Sequence, residues 1–215
     1  MIVRACIGDG AGFFLPYTME VATKDEELIN DLYYLMLEKK KQEVKASFYK
    51  FVRYFWDTIC AEKYQHNWTI KFMCDELQIV AERIIQRLPK EYDLVINIAP
   101  GETKSIIASQ MLNAWIWTID PTIRILGTSH TSTLSIFNSM QTKDIFTSEK
   151  YVEMFGEMEF KYDMQGKGDF MTVNGGRRKA TSVDSKVTGS HFHLKLYDDL
   201  VDANGYSTDI LQLLN

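Results

Sequence analysis

The stretch YDLVINIAPGETKS, residues 92–105, decides the predicted fold. Its apolar run from Leu94 to Ile98 predicts a strand buried on both faces. Residues 105–119 are apolar almost all round, which predicts a helix enclosed within a domain. Between them lies a turn of small residues that ends in Lys104-Ser105. A strand, a tight turn and a helix opening with Lys-Ser form a cradle in which backbone N–H groups and one ammonium hold phosphates.

The turn departs from the usual glycine pattern of such loops, G-x-x-x-x-G-K-[ST], because Ile98 and Thr103 stand where the glycines would be. An ordinary strand-to-helix loop with an exposed lysine therefore stays open as an alternative. Since Thr103 carries a branched side chain, we expect its backbone to avoid a strongly positive φ.

Composition bounds the class of protein. The chain has 215 residues, 46% of them hydrophobic, which is enough for one sizeable globular domain. A net charge of -5 argues against a general polyanion binder, although Lys39–Lys41 and Arg177–Lys179 are basic runs. Three cysteines without C-x-x-C spacing indicate neither a disulfide framework nor a zinc site. With no signal peptide or transmembrane segment recognisable, we expect a soluble, cytoplasmic protein.

The hydrophobic period changes along the chain. Helical spacing comes first and a strand, helix, strand, helix alternation follows, which predicts an open α/β sheet. Helices are predicted over about 23–37, 46–61, 68–88, 105–119 and from about 133 to 140; strands over 94–98, 123–127 and 193–197; and hairpins within 170–183.

An acidic pair, Asp198-Asp199, follows the last predicted strand. A Lys-Ser phosphate loop needs magnesium, and a carboxylate at the end of a neighbouring strand supports that ion. Asp198 stands in that place, and Asp199 is then placed to polarise an attacking water. An acidic pair in a surface turn is the alternative reading.

Four segments together resemble the ATPase half of the large terminase subunit of tailed bacteriophages. They are IAPGETKS at 98–105, AW at 114–115 with PTIRILGTS at 121–129, GG at 175–176 with VTG at 187–189, and LKLYDD at 194–199. The resemblance covers about residues 50–208. It implies a P-loop NTPase of the additional-strand, RecA-like class, with a mostly parallel central sheet flanked by helices. The N-terminal helical segment would span 1–55 and the ATPase domain 56–215, incomplete at its C-terminal end.

The resemblance also assigns roles to residues. Lys104 would contact the β- and γ-phosphates of ATP and take part in catalysis. Ser105 and Asp198 would hold Mg²⁺, and Asp199 would take the catalytic place more often filled by glutamate. The segment YQHNW at 64–68 resembles the one that meets the adenine base, with Gln65 suited to hydrogen bonding the edge of the base and Trp68 or Tyr64 to stacking on it. The rest of the nucleotide-binding loop would be Pro100, Gly101, Glu102 and Thr103.

The implied function is that of an ATP-hydrolysing motor that drives double-stranded DNA into a capsid from the host cytoplasm. Its implied partners are DNA, further copies in a ring docked on the capsid portal, and a small terminase subunit, with no membrane. Arg177, Arg178 and Lys179 are candidate contacts to DNA or to a neighbouring subunit.

Two features depart from the family. Gly101 and Glu102 stand where many members carry an arginine, and the chain ends at Asn215, which leads us to expect a fragment, a split gene product or a truncated copy. A non-catalytic remnant that binds nucleotide or partners without turnover is therefore the main alternative. A different P-loop protein, such as a small nucleotide kinase or a helicase-like remodeller, is another.

Overall fold

A computed structural model describes residues 17–99, 101–185 and 191–200, with side chains from residue 26 onward. The chain divides into two compact units, Met1–Lys39 and Lys40–Asn215. The assignment of 1–55 and 56–215 to a helical segment and an ATPase domain stays a prediction. None of the helices in the described ranges is long and apolar enough to cross a bilayer.

Three helices form the first part of the described chain. α1 spans Tyr17–Ala46 and continues through the lysine run that was expected to end it, because lysine and glutamate are good helix formers. α2 spans Phe48–Phe55 and is followed by a 3₁₀ turn, Trp56–Thr58. α3 spans Trp68–Ile85 and begins at Asn67, whose side chain accepts a hydrogen bond from the N–H of Thr69.

The segment at 94–98 is not the doubly buried strand that its composition predicts. Residues 91–99 belong to no strand; residues 91–93 are exposed, and from 93 to 99 the side chains alternate between exposed and half-buried. Val95 is 84% exposed. An apolar run becomes a central strand only where neighbours pair with both of its edges, and no described strand pairs with this one.

The predicted helix over 105–119 forms in two parts. Ile106–Met111 is a π-helical turn, and α4 continues from Leu112 to Ile119. Two further helices, α5 at Ser132–Thr147 and α6 at Glu149–Phe155, follow the next strand. The π turn lies one residue after the Lys104-Ser105 pair, and such turns occur frequently at functional sites.

The described residues contain the strands Arg124–Ser129 (β1), Phe160–Gln165 (β2), Asp169–Thr172 (β3), Arg177–Ser182 (β4) and Leu194–Asp198 (β5). They form one mixed sheet in the order β2-β3-β4-β1-β5. β1 pairs in parallel with β4 and β5, whereas β3 pairs antiparallel with both β2 and β4. The sheet is therefore mixed rather than mostly parallel, because the predicted hairpin between β3 and β4 forms and β2 is added at the edge.

The core of the larger unit lies between this sheet and its helices. α5 packs on β1 and β4, and the π turn packs on α5 and β5. Trp115 and Trp117 of α4 are buried, and their indole N–H groups donate to the carbonyls of Val44 and Ile123. The larger unit thus has an α/β fold in which helices pack on the mixed sheet. This packing brings the residues after Lys104 against the end of β5.

Candidate functional site

Lys104 meets the acidic pair at the end of β5. Its Nζ lies 2.8 Å from Oδ1 of Asp199 and 3.3 Å from Oδ1 of Asp198. Asp198 is the last residue of β5 and pairs in register with Ser129 of β1. The parallel pairing of β5 with β1 therefore carries the carboxylates to the edge of the sheet where the lysine lies. The three residues predicted to share one ligand are brought together.

The loop that carries Lys104 has an unusual backbone. Gly101 has a φ of 86° and Thr103 a φ of 60°. The expectation that Thr103 avoids a positive φ is wrong, and a β-branched residue in this region is strained by about 1–3 kcal/mol. The hydroxyl of Thr103 is buried and has no hydrogen-bond partner among the described residues. Pro100, the remaining predicted loop residue, lies outside the described residues.

Asp198 is buried, and its side chain is held from the interior. Its Oδ2 accepts a hydrogen bond from the hydroxyl of Ser109 at 2.9 Å. The amide Nδ2 of Asn138 lies 3.5 Å from the same oxygen. Ser109 belongs to the π turn and Asn138 to α5, so both helical elements that pack near β5 contribute a donor. By contrast, Asp199 is exposed and has a left-handed backbone, with a φ of 45°.

Arg178 is the largest charged side chain in the interior. It is 1% exposed and its Nη2 donates to the carbonyl of Ser109 at 3.1 Å. Burial lowers the pKa of its guanidinium to about 10, an effect that the charge of Asp198 partly opposes. As a buried residue, Arg178 cannot serve as the predicted contact to DNA or to a neighbouring subunit. Arg177 of the same basic run donates to Asp169 at 2.7 Å.

Lys104 is the only lysine that contacts both carboxylates within the described ranges. Burial disfavours its charged form, but the hydrogen bond to Asp199 and the charges of both aspartates outweigh burial, so its pKa is raised. The ammonium is therefore firmly charged at neutral pH, as a phosphate-binding lysine must be.

The predicted adenine segment lies beside the loop. Trp68, the first residue of α3, is 75% exposed, and Gln65, three residues before it, is exposed as well. Nδ2 of Asn67 lies 3.5 Å from Oε2 of Glu102, which joins this segment to the loop before Lys104. Tyr64 instead packs edge-to-face on Trp56, so it belongs to the protein's own packing.

The donor set suits a magnesium ion that arrives with a nucleotide. Magnesium takes hard oxygen ligands, usually one or two carboxylates together with substrate phosphates. Asp198 offers a carboxylate oxygen, and the half-buried hydroxyl of Ser105 lies next to Lys104 in the chain. In the described part of the chain no group of three or more His, Cys, Asp or Glu side chains is placed to hold a metal by itself. Phosphate oxygens would therefore have to complete the coordination.

Sequence reasoning missed Ser109 and Asn138, and it assigned Arg178 to a contact with DNA or a neighbouring subunit rather than to the interior. The available signal was the polar residues Ser109, Gln110 and Asn113 inside an otherwise apolar helix, since buried polar side chains require partners. Asn113 bonds locally to the carbonyl of Ser109, but the other partners of Ser109 and Gln110 lie on α5, β4 and β5, tens of residues away, and no local pattern identifies them.

No protein-family model matches the chain, and a search of the curated proteins produced no match. The functional interpretation therefore rests on the residues of the site.

Proposed function

We propose that the chain binds a magnesium–ATP complex between Lys104 and the pair Asp198-Asp199 and hydrolyses it. The observation that carries this proposal is the approach of Lys104 to both carboxylates across more than ninety residues of sequence. The ammonium lies beside two carboxylates and next to a helical element that begins after a tight loop. This arrangement suits a phosphate chain together with its cation.

Charge complementarity supports a ligand with both signs of charge. The ammonium of Lys104 has two anionic neighbours, Asp198 and Asp199, and the buried cation of Arg178 acts on Asp198 from the interior. A triphosphate offers the lysine alternative anionic oxygens, and magnesium offers the carboxylates an alternative cation. Without magnesium, the two carboxylates would repel the negatively charged phosphates of ATP. Binding is therefore expected to require the divalent cation.

The proposed roles follow the positions of the residues. Lys104 binds the phosphates, Ser105 and Asp198 hold magnesium, and Asp199 orients and activates water. Magnesium, when bound, neutralises charge that develops on the phosphates. The strained Thr103 lies directly before Lys104, and its hydroxyl has no hydrogen-bond partner among the described residues, so that a bound phosphate group would supply an acceptor. The exposed Gln65 and Trp68 meet the base.

The wider role that we propose is the motor domain of a viral DNA-packaging terminase, acting in the host cytoplasm. It would work as a ring on the capsid portal, together with a small terminase subunit, and translocate double-stranded DNA. The resemblance of segments 98–105, 114–115, 121–129 and 194–199 supports this role. A motor that holds DNA transiently needs few basic side chains per subunit, so a net charge of -5 is compatible with it.

Calorimetric titration with ATP in the presence and absence of Mg²⁺ tests the binding site. Lys104→Ala is expected to weaken Mg-ATP binding by about a hundredfold or more, because a charge-assisted contact to phosphate is lost. Lys90→Ala is a matched control, since Lys90 also pairs with an aspartate, Asp93, but outside the site. Equal affinities in the two variants, or no binding by the unmodified chain, would contradict the proposal.

Nucleotide binding without turnover is the second candidate. It is favoured by the contact of Asp199 with Lys104, because a carboxylate held by an ammonium is less available to activate water. Phosphate release separates the two candidates. Turnover that Asp199→Asn reduces at unchanged Mg-ATP affinity indicates an ATPase, whereas binding with no phosphate release indicates a nucleotide-binding module.

A further inference from the structure

The two oxygens of the Asp198 carboxylate have different surroundings. Oδ1 lies 3.3 Å from Nζ of Lys104. Oδ2 accepts from the hydroxyl of Ser109 at 2.9 Å and lies 3.5 Å from Nδ2 of Asn138. A carboxylate is planar and rigid, so rotating Oδ2 away from the interior would break these contacts. In a buried environment, the loss of such hydrogen bonds costs free energy. One oxygen therefore faces the site and the other faces the core.

The amide of Asn138 is itself held in one orientation. Nε2 of Gln110 donates to Oδ1 of Asn138 at 2.8 Å, which turns the amide nitrogen of Asn138 toward Asp198. Both side chains are at most 4% exposed. Flipping the Asn138 amide would place an oxygen against a carboxylate and a nitrogen against a donor, so the chain of contacts has one favourable arrangement.

Ser109 is held through its backbone as well. Its carbonyl accepts from Nη2 of Arg178 at 3.1 Å and from Nδ2 of Asn113 at 2.6 Å. The buried cation of Arg178 also lies in the field of Asp198 and offsets part of its charge. The hydroxyl that reaches Asp198 therefore projects from a fixed point of the π turn.

We propose that Ser109 and Asn138 are positioning residues that retain Oδ2 of Asp198 and leave Oδ1 alone for the cation of the bound nucleotide. This inference rests on the proposed function. Its consequence is cation selectivity: magnesium is a small octahedral ion that suits single carboxylate oxygens, whereas calcium readily takes both oxygens of one carboxylate. Retaining Oδ2 therefore favours Mg-ATP over Ca-ATP.

Titration of Ser109→Ala with Mg-ATP and with Ca-ATP tests the selectivity. The ratio of the two dissociation constants is expected to shift toward calcium by about tenfold, the effect typical of residues that orient metal ligands. Ser109→Thr keeps a hydroxyl and is expected to retain the original ratio. Ser135→Ala is the matched control, because Ser135 is equally buried but donates to the carbonyl of Gly127 instead of Asp198.

A second measurement needs no nucleotide. Urea unfolding of Ser109→Ala, Asp198→Asn and the double variant gives the coupling between the two side chains. We expect Ser109→Ala to raise the unfolding equilibrium constant. The factor should be about five times larger in the chain that carries Asp198 than in the Asp198→Asn variant, because the hydrogen bond to a carboxylate is charge-assisted. Ser135→Ala is expected to show no such coupling.

The outcomes separate this inference from the function on which it rests. Additive unfolding effects, or an unchanged calcium-to-magnesium ratio in Ser109→Ala while the unmodified chain binds Mg-ATP, overturn the inference and leave the proposed function standing. Failure of the unmodified chain to bind Mg-ATP overturns the proposed function and the selectivity with it. Coupled unfolding together with a shifted ratio supports both.

Discussion

The end of β5 and the loop before the π turn form two sides of the candidate site, and they are held by different means. Asp198 is buried and has partners from the π turn, α5 and the loop. The loop side begins with residues 91–99, which belong to no strand, and contains Thr103, which has a positive φ and a buried hydroxyl with no partner among the described residues. The Asp198 side is therefore held by tertiary contacts, whereas the loop side depends mainly on its local backbone.

The largest difference is expected in the free energy of unfolding that is lost when a buried or an exposed apolar side chain is truncated. Ile125 of β1 is fully buried, and Ile125→Ala should lower the free energy of unfolding by about 2–5 kcal/mol, because it leaves a cavity in the sheet. Val95→Ala should change it by less than about 0.5 kcal/mol, since that side chain is already in solvent. Urea unfolding measures both. A loss of similar size for Val95→Ala would show that segment 94–98 is packed after all.

The second-largest effect on stability is expected where β1 packs over Arg178. A Cβ at Gly127 would overlap the guanidinium of Arg178, so Gly127→Ala should destabilise the protein by about 1–3 kcal/mol. The Arg178→Met background provides the control, because a shorter, flexible side chain gives way. The same loss in both backgrounds, measured by urea unfolding, would rule out the guanidinium as the cause.

On the loop side, Thr103→Gly should stabilise the protein without ligand. Glycine adopts a φ of 60° without steric strain, whereas it also gives the unfolded chain more conformational entropy. We expect the relief of strain to exceed that entropic cost by about 1 kcal/mol or less in the free energy of unfolding. The measurement is the midpoint of urea unfolding, with Mg-ATP affinity alongside. A clear loss of stability would mean that the Thr103 hydroxyl has a partner that offsets its strain.

The smallest effect concerns the far end of the β1–β5 pair. Nδ1 of His193 accepts from the backbone N–H of Arg124, and burial together with Arg87 and Arg124 lowers the His193 pKa. The unfolded state therefore binds the proton more readily, near its usual pKa of about 6.5. Stability should fall as pH drops from about 6.5 through the lowered folded pKa.

Urea unfolding between pH 8 and pH 5 checks this dependence. His193→Gln keeps an acceptor but does not titrate, so it should reduce the slope of stability against pH. An unchanged slope in this variant would assign the pH dependence to other groups.

Local sequence patterns predicted much of the fold. The 3.6-residue spacing within 68–88 and the run at 123–127 correspond to α3 and β1, and the hairpin within 170–183 corresponds to β3 and β4. The strand at 94–98 failed because an apolar run does not reveal whether a partner strand exists beside it. α6 was missed because its seven residues are too short to show a period.

For the site, the sequence by itself determined the chemical types: a lysine and a serine after a tight turn, and two carboxylates after a strand. Only the tertiary structure decided that Lys104 reaches both carboxylates, that Arg178 lies inside rather than on a DNA-facing surface, and that Ser109 and Asn138 hold one oxygen of Asp198. The physical reason is separation along the chain. Caps, turns and periodicity act within a few residues, whereas these contacts depend on the order of strands in the sheet and on which helices pack against it.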